Sequence, residues 1–339
     1  MISGHIKNRL QVQITDAVVR FESELDSDLD DLKGFFKYHV VDSDLEADYT
    51  VMLKRQVSFR LPQDAETKWK SNRPGITPPE KQQRRRRVRM SSKMDTFGVA
   101  SCYFSPKRGE FYYGLMSDKS WISCCPSKHQ IMYILHKRPA RNDSEESEET
   151  IDTTGAMPLL LHIISTFLGR ILVHGAAVCL NDKATLFLGK SGSGKSTLST
   201  DLARKGASFM GDDLVFIYTK AGVPMVGSLL LPAKLYMDDT PEKTSVDVPR
   251  EMQADYCLSA PLQAVYSVQQ NGLPTSTVEP RPAVELLQQL MEASNDMMMQ
   301  YNKQQWFDTL YLISQQVPYF LFHFGDRISL NTSFLTINR

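Results

Sequence analysis

An α/β fold with a mixed sheet, preceded by a smaller N-terminal α+β domain, is what this sequence predicts, and three observations carry it. The motif Gly-x-x-x-x-Gly-Lys-Ser runs in full from Gly189 to Ser196. An apolar strand candidate at residues 184–188 stands before it. A helix candidate at residues 195–204 stands after it, with Leu198 and Leu202 four apart on one face. Ahead of residue 143, by contrast, short strand-like runs alternate with turns. Strand, glycine-rich turn and helix together are the context in which this motif carries chemistry. Glycines let consecutive backbone N–H groups converge on one point, and the positive end of a helix dipole sits behind them. Gly189, Ser191, Gly192, Ser193 and Gly194, with Lys195, Ser196 and Thr197, are therefore candidates for holding the polyphosphate of a nucleotide such as ATP. In such a P-loop Lys195 neutralises the outer phosphates and the Ser196 hydroxyl ligates Mg²⁺.

Taken in order, residues 1–142 read as a first domain for recognising a substrate or partner. Residues 12–14, 18–21 and 49–53 are strand candidates, β-branched and aromatic in part. Residues 22–31 are acidic, and the spacing of Leu29 and Leu32 predicts a short helix whose acidic side chains face water. Prolines break residues 62–89 before the run Lys81-Gln82-Gln83-Arg84-Arg85-Arg86-Arg87-Val88-Arg89. That run reads as solvated surface or as a grip on an acidic partner. It lacks the interleaved aromatics of a nucleic-acid platform. Strand-like residues 97–103, 110–115, 120–124 and 130–136 predict a meandering sheet that closes the domain. Residues 143–155, with Asp143-Ser144-Glu145-Glu146-Ser147-Glu148-Glu149, form an acidic linker.

The second domain spans residues 156–339. Its opening apolar stretch, 157–173, is interrupted by His162 and Arg170, so it reads as a buried helix and a strand rather than a membrane span. Gly206 is placed to cap the helix after the glycine turn. Strands at 207–210 and 214–218 are broken by Gly211-Asp212-Asp213, and residues 229–235 form a further apolar run. Apolar positions 284, 287, 290 and 291 predict one helix, and residues 306–313 another. Residues 318–324 read as a strand, and Met297-Met298-Met299 as core filling. No internal repeat is present.

Composition narrows the function. Lys and Arg number 39 against 39 Asp and Glu, so no general attraction to nucleic acid or an anionic membrane follows. Five cysteines make no disulfide framework, and Cys124-Cys125 is the only pair close in sequence, which points to a reduced, cytoplasmic protein. The first residues have no apolar signal core.

A P-loop serves many chemistries, so its neighbours decide. His174 opens His174-Gly175-Ala176-Ala177-Val178, 21 positions before Lys195, and Asp213 stands 18 positions after Lys195. Phosphoryl transfer asks for positioning, charge neutralisation and a base for the attacking hydroxyl. A carboxylate near Mg²⁺ serves as that base only if it is held toward the acceptor, and Asp212 and Asp213 are the carboxylates that follow the helix. A pleated strand would aim Asp212 and Asp213 to opposite faces, so Gly211 must loosen the pleat for both to reach one site.

Those runs, with Gly189 to Leu198 and Ala203 to Asp213 between and after them, resemble the catalytic core of the HPr kinase/phosphorylase family, relatives of phosphoenolpyruvate carboxykinase. The resemblance covers residues 171–218. It implies a phosphoenolpyruvate-carboxykinase-like P-loop core that uses ATP and Mg²⁺, with Asp213 as general base, His174 beside it, Lys195 on phosphate, and Ser196 and Asp212 toward the metal. The family's downstream Glu-Ile-Arg-Gly segment is missing; Leu231-Pro232-Ala233-Lys234-Leu235 and Asp238-Asp239 stand in that region. The run from Asp31 to Val41, the run from Ala47 to Leu53 and the late His-Gly hairpin are together more similar to the HPr-kinase-related proteins of peptide-tailoring clusters, which include kinases of a terminal serine in lasso-peptide precursors. The implied activity is transfer of the γ-phosphate to a serine hydroxyl of a peptide or protein. A kinase of free serine or another small molecule, and a non-catalytic nucleotide-binding regulatory module, remain as alternatives. The implied partner is a serine-containing acceptor, acidic if the arginine run grips it. Neither nucleic acid nor membrane is implied, and ring-forming relatives imply a homo-oligomer.

Overall fold

The computed structural model describes residues 8–41, 45–56, 59–70, 99–115, 120–136, 156–236, 243–270, 276–294 and 299–324. The arginine run, the acidic linker, Asp238-Asp239 and Met297-Met298 lie outside them. The chain divides into two compact units, Met1–Phe167 and Leu168–Arg339.

The first unit contains β1 (Asn8–Ile14), β2 (Ala17–Ser23), α1 (Asp26–Phe35), β3 (Val40–Val41), β4 (Tyr49–Gln56), β5 (Glu66–Lys70), β6 (Val99–Ser105), β7 (Glu110–Leu115), β8 (Trp121–Cys125), β9 (Gln130–His136) and α2 (Ala156–Phe167). Among the described residues these strands form one mixed sheet ordered β3-β1-β2-β4-β9-β8-β7-β6-β5. The predicted meander is β6 to β9, antiparallel throughout; β5, which the sequence did not predict, adds an antiparallel strand to β6, and a parallel pairing joins β9 to β4. Period-two alternation sets the buried face of β1 and β2, where Leu10, Val12, Ile14, Val19 and Phe21 are buried. On α1, Leu29 and Leu32 are buried as their spacing predicts. Asp28 departs from the expectation that the acidic residues face water: it is 2% exposed. Its carboxylate accepts a hydrogen bond from the Ser23 hydroxyl at 2.7 Å, which offsets the loss of water. The helix α2, which the sequence places at the start of the second domain, falls in this first unit. Its end is held to β4, where the Tyr49 hydroxyl donates to the Phe167 carbonyl at 2.8 Å.

The second unit contains β10 (Ile171–His174), β11 (Ala176–Leu180), β12 (Lys183–Leu188), α3 (Lys195–Arg204), β13 (Ser208–Gly211), β14 (Leu214–Lys220), β15 (Val223–Gly227), β16 (Ala233–Tyr236), β17 (Lys243–Val246), α4 (Val248–Glu251), β18 (Ser259–Gln270), β19 (Thr277–Arg281), α5 (Ala283–Ala293), α6 (Met299–Gln316) and β20 (Tyr319–Phe324). Its large sheet is also mixed, ordered β10-β14-β15-β18-β12-β11-β13, with β20 on β18 and β19 on β20. β12–β18 and β18–β20 are parallel, and the other pairs are antiparallel. β16 and β17 form a separate two-stranded ribbon.

One face of the large sheet packs Leu186, Val215 and Val265 against Leu286 and Leu290 of α5 and Ile313 of α6. The other packs Val178, Phe187 and Tyr266 against Leu198 and Leu202 of α3. Leu286 and Leu290, four apart, are the buried face of α5. Val284 is 69% exposed, which corrects the helix face read from positions 284, 287, 290 and 291. Helix α3 ends as expected at Gly206 (φ +96°). Gly206 N–H bonds the Ala203 carbonyl and Ala207 N–H the Leu202 carbonyl, the paired bonds of a Schellman cap. No described helix is long and apolar enough to cross a membrane.

Candidate active site

Local chain chemistry builds the site from two neighbouring connections. β11 and β12 pair as a tight hairpin, Leu180 opposite Lys183, through Asn181 (φ 51°) and Asp182 (φ 59°). Both residue types tolerate positive φ, and a two-residue turn with both centres positive matches the twist of the flanking strands. β12 therefore runs back beside β11 and delivers the chain to the glycine turn. Gly189 (φ +142°) passes so close to β18 that a Cβ there would meet the Val268 carbonyl at 2.7 Å. Gly192 and Gly194 also have positive φ, and Gly194 opens α3 without a side-chain cap. The first-turn N–H groups of α3 are thus not satisfied by a capping side chain.

The second connection lies at the ends of the sheet. β10 and β13 are its two extremes, yet β10 continues into β11 through Gly175, and β13 into β14 through Asp212-Asp213. Those two links are tied together: Gly175 N–H donates to the Asp213 carbonyl at 3.2 Å. Only glycine fits at 175, because a Cβ would stand 2.8 Å from the Phe187 carbonyl. His174 pairs with Leu214 in the ladder, and its Nδ1 lies 3.0 Å from Asp213 Oδ1.

Gly211 (φ +155°) ends β13 and loosens the pleat as expected, and the chain turns again two residues on. Asp213 has φ +68°, and Leu214 N–H donates to the Asp212 carbonyl at 2.8 Å, closing a three-residue turn on Asp213. Such a turn is strained for any residue with a Cβ, and strain of this kind concentrates at functional sites. It also lets the two aspartates differ. The Asp213 side chain is 56% exposed, whereas Asp212 is 2% exposed. The hydrogen bond from His174 holds the Asp213 carboxyl below its ordinary value of 3.8, against partial burial, and His174, Lys234 and Lys195 add to the lowering. Burial pushes Asp212 the other way, opposed by a hydrogen bond from the Ser196 side chain and by the charge of Lys195.

Lys195 is 6% exposed, and its ammonium donates to the Gly189 carbonyl at 2.8 Å and the Lys190 carbonyl at 3.1 Å. Burial lowers its pKa, while Asp212 and Asp213 raise it. Two of its three N–H donors thus brace the turn, and one remains for a phosphate oxygen. Asp212 Oδ1 and Ser193 Oγ are buried without a hydrogen-bond partner. The orphaned Asp212 oxygen, with the Ser196 hydroxyl on the same carboxylate, is a donor set suited to Mg²⁺, which takes one or two protein oxygens and fills its shell from water and phosphate. Among the described residues no three His, Cys, Asp or Glu side chains gather to hold a metal.

The structure thus brings His174, Lys195, Ser196, Asp212 and Asp213 into one electrostatic neighbourhood beside the glycine turn. Ser191, Gly192 and Thr197 are exposed on the turn and the first helical turn. Two lysines join from the β16–β17 ribbon. Lys234, from the run that stands where the family's downstream segment would be, acts on Asp213, and Lys243, which the sequence analysis did not mark, acts on Lys195. The signal for Lys243 is register: Lys234 opposes Ser245 and Lys243 opposes Tyr236, so both lysines lie on one face of the ribbon.

No family model and no curated protein matches this chain. Among solved structures it is similar to the Hpr(Ser) kinase/phosphatase from Coxiella burnetii, at 13% identity and a TM-score of 0.28, over 45% of this chain and 85% of that one. A likeness that loose carries no argument about chemistry, which rests on the geometry above.

Proposed function

We propose that this chain is an ATP- and Mg²⁺-dependent kinase that transfers the γ-phosphate to a serine hydroxyl, of a peptide as in lasso-peptide tailoring or of a small molecule. The observation that carries the reading is the His174–Asp213 pair, 3.0 Å apart on a strained turn within electrostatic reach of Lys195. In this reading His174 donates from Nδ1 to Asp213 Oδ1, which fixes the ring's tautomer and leaves Oδ2 for the acceptor's hydroxyl. Asp213 receives the proton as the acceptor oxygen attacks phosphorus in line. Its lowered pKa makes it a weak base, which suffices because the transition state is loose and asks more for placement than for basicity. The turn N–H groups and Lys195 hold the phosphates, and the dry wall around Lys195 strengthens that contact. Asp212 and Ser196 would hold Mg²⁺, which supplies neutralisation of the phosphate charge.

The test is mass spectrometry of serine peptides and free serine incubated with the protein, ATP and Mg²⁺. A mass gain of one phosphate on a serine is expected. ATP binding with no phosphorylated product from either acceptor class would leave the regulatory-module alternative standing instead.

A further inference from the structure

One basic element of the second unit has no task in the chemistry above, the β16–β17 ribbon. Its place is fixed by contacts on both sides of it in the chain. Ahead of it, the Ser228 hydroxyl donates to the Met210 carbonyl of β13, Leu230 N–H donates to Ser228 Oγ at 3.1 Å, and the chain turns at Leu230 (φ 48°). After it, Phe209 N–H donates to the Asp255 carbonyl at 2.7 Å and Cys257 N–H to the Phe209 carbonyl at 3.0 Å. Both flanks are thus tied to neighbouring residues of β13, the strand that runs into Asp212 and Asp213. Strand β16 also packs on α3, the helix that starts at Lys195. The ribbon is held by the two elements that carry the site.

Register decides what the ribbon presents. Ala233 opposes Val246, and both are buried, as is Leu235 on the same face. Lys234 opposes Ser245 on the other face, with Lys243 beside them, and all three are exposed. The two strands hold no acidic residue. Among the described residues no hydrogen bond or ion pair takes up the Lys234 ammonium. Its charge is felt at the Asp213 carboxyl, whereas that of Lys243 is felt at Lys195. Lys234 is therefore the lysine on the acceptor's side, and Lys243 the one on the phosphate's side.

We propose that Lys234 binds a carboxylate that the acceptor carries beside its hydroxyl, so that the site selects an anionic acceptor. This subsite deepens the kinase reading and rests on it, since that reading puts the acceptor's hydroxyl at Asp213. Charge complementarity is the reason. Asp212, Asp213 and the phosphates of the nucleotide are anionic, so an acceptor with a negative group is repelled unless a cation faces it. Lys195 is occupied by the Gly189 and Lys190 carbonyls and the phosphate. Lys234 is exposed, and its ammonium rides on a flexible four-carbon stem that follows the carboxylate as the hydroxyl meets its base. The carboxylate of serine itself and that of an acidic neighbour in a peptide offer the same chemistry.

The experiment measures transfer from ATP and Mg²⁺ by the full-length protein to three matched pairs of acceptors. These are serine and serinamide, a peptide ending in serine as the acid and as the amide, and a peptide whose internal serine adjoins glutamate or glutamine. In at least one pair the carboxylate member should be favoured about tenfold in kcat/KM, and the pair that shows it identifies the source of the carboxylate. Lys234→Met should bring that ratio toward one, while Lys234→Arg and Lys243→Gln should keep most of it. Equal kcat/KM within every pair, or a loss in Lys234→Met that falls equally on both members, would overturn the proposal. The same pairs are titrated onto the protein with a non-hydrolysable ATP analogue and Mg²⁺, a readout free of transfer. Tighter binding of the carboxylate member that Lys234→Met removes supports the subsite, and if no acceptor is phosphorylated it is the kinase reading that fails. Equal binding within the pairs, or none, would overturn the subsite and leave any observed transfer standing.

Discussion

Two adjacent aspartates with opposite environments are the centre of the residue-scale account. Asp213 has its pKa depressed below 3.8, so its ionised pairing with His174 favours the folded state above that value and is lost as pH falls through the depressed one. Asp212 has its pKa raised, so its charge costs stability above the raised value, and acidification relieves that cost. A pH–rate profile should therefore show no loss of the Asp213 base between neutrality and pH 3.8. An acid limb well above that pH which vanishes in a variant of Asp213 would contradict this. Replacing Lys195 by alanine removes a buried cation from the phosphate contact and should cost about 3 kcal/mol, about a hundredfold in rate. Most of these residues were legible in the sequence, because the glycine motif and the spacings of His174 and Asp213 are local. The unequal burial of Asp212 and Asp213 was not, since it comes from a backbone turn at Asp213 that no residue pattern announces.

At the scale of elements, the hairpin and the glycines set the site. Gly175→Ala would drive a Cβ into the Phe187 carbonyl at 2.8 Å, a backbone atom that cannot step aside. Thermal melts should show a loss of about 1–3 kcal/mol, and transfer should fall because His174 and Asp213 separate. Gly206→Ala is the control. It places a Cβ at φ +96° in open space, so it should cost about 1 kcal/mol and leave transfer unchanged. Strand and helix positions followed from periodicity where one face is buried, as in β1, β2 and α3. Periodicity misplaced the face of α5, where Val284 fits an apolar stripe yet stays exposed while Leu286 turns inward. Side-chain partners on α6, not the local pattern, decide which leucines are covered.

For the whole molecule, ligand linkage is the sharpest handle. ATP with Mg²⁺ at a hundredfold excess over its Kd should raise stability by about 2.7 kcal/mol. In Asp212→Asn the Mg²⁺-dependent part of that gain should disappear, while metal-free nucleotide affinity survives. Equal Mg²⁺ responses in calorimetric titrations would remove Asp212 from the metal's shell. Charge balance at 39 against 39 means that any steering of an acidic acceptor must come from a local run such as Arg84–Arg87 and Arg89. If it does, raising salt should raise KM with little change in kcat, because exposed charges are screened over about 10 Å at 0.1 M. Replacing those arginines by glutamine should abolish that salt dependence.

The most direct test of the catalytic site is Asp213→Asn, assayed for phosphate transfer to a serine acceptor and, in parallel, for nucleotide binding. Asparagine tolerates positive φ as aspartate does, so the strained turn is kept and only the proton acceptor is lost. Transfer should fall by about 10²–10⁴-fold with nucleotide affinity unchanged. Transfer at the wild-type rate would contradict Asp213 as the base.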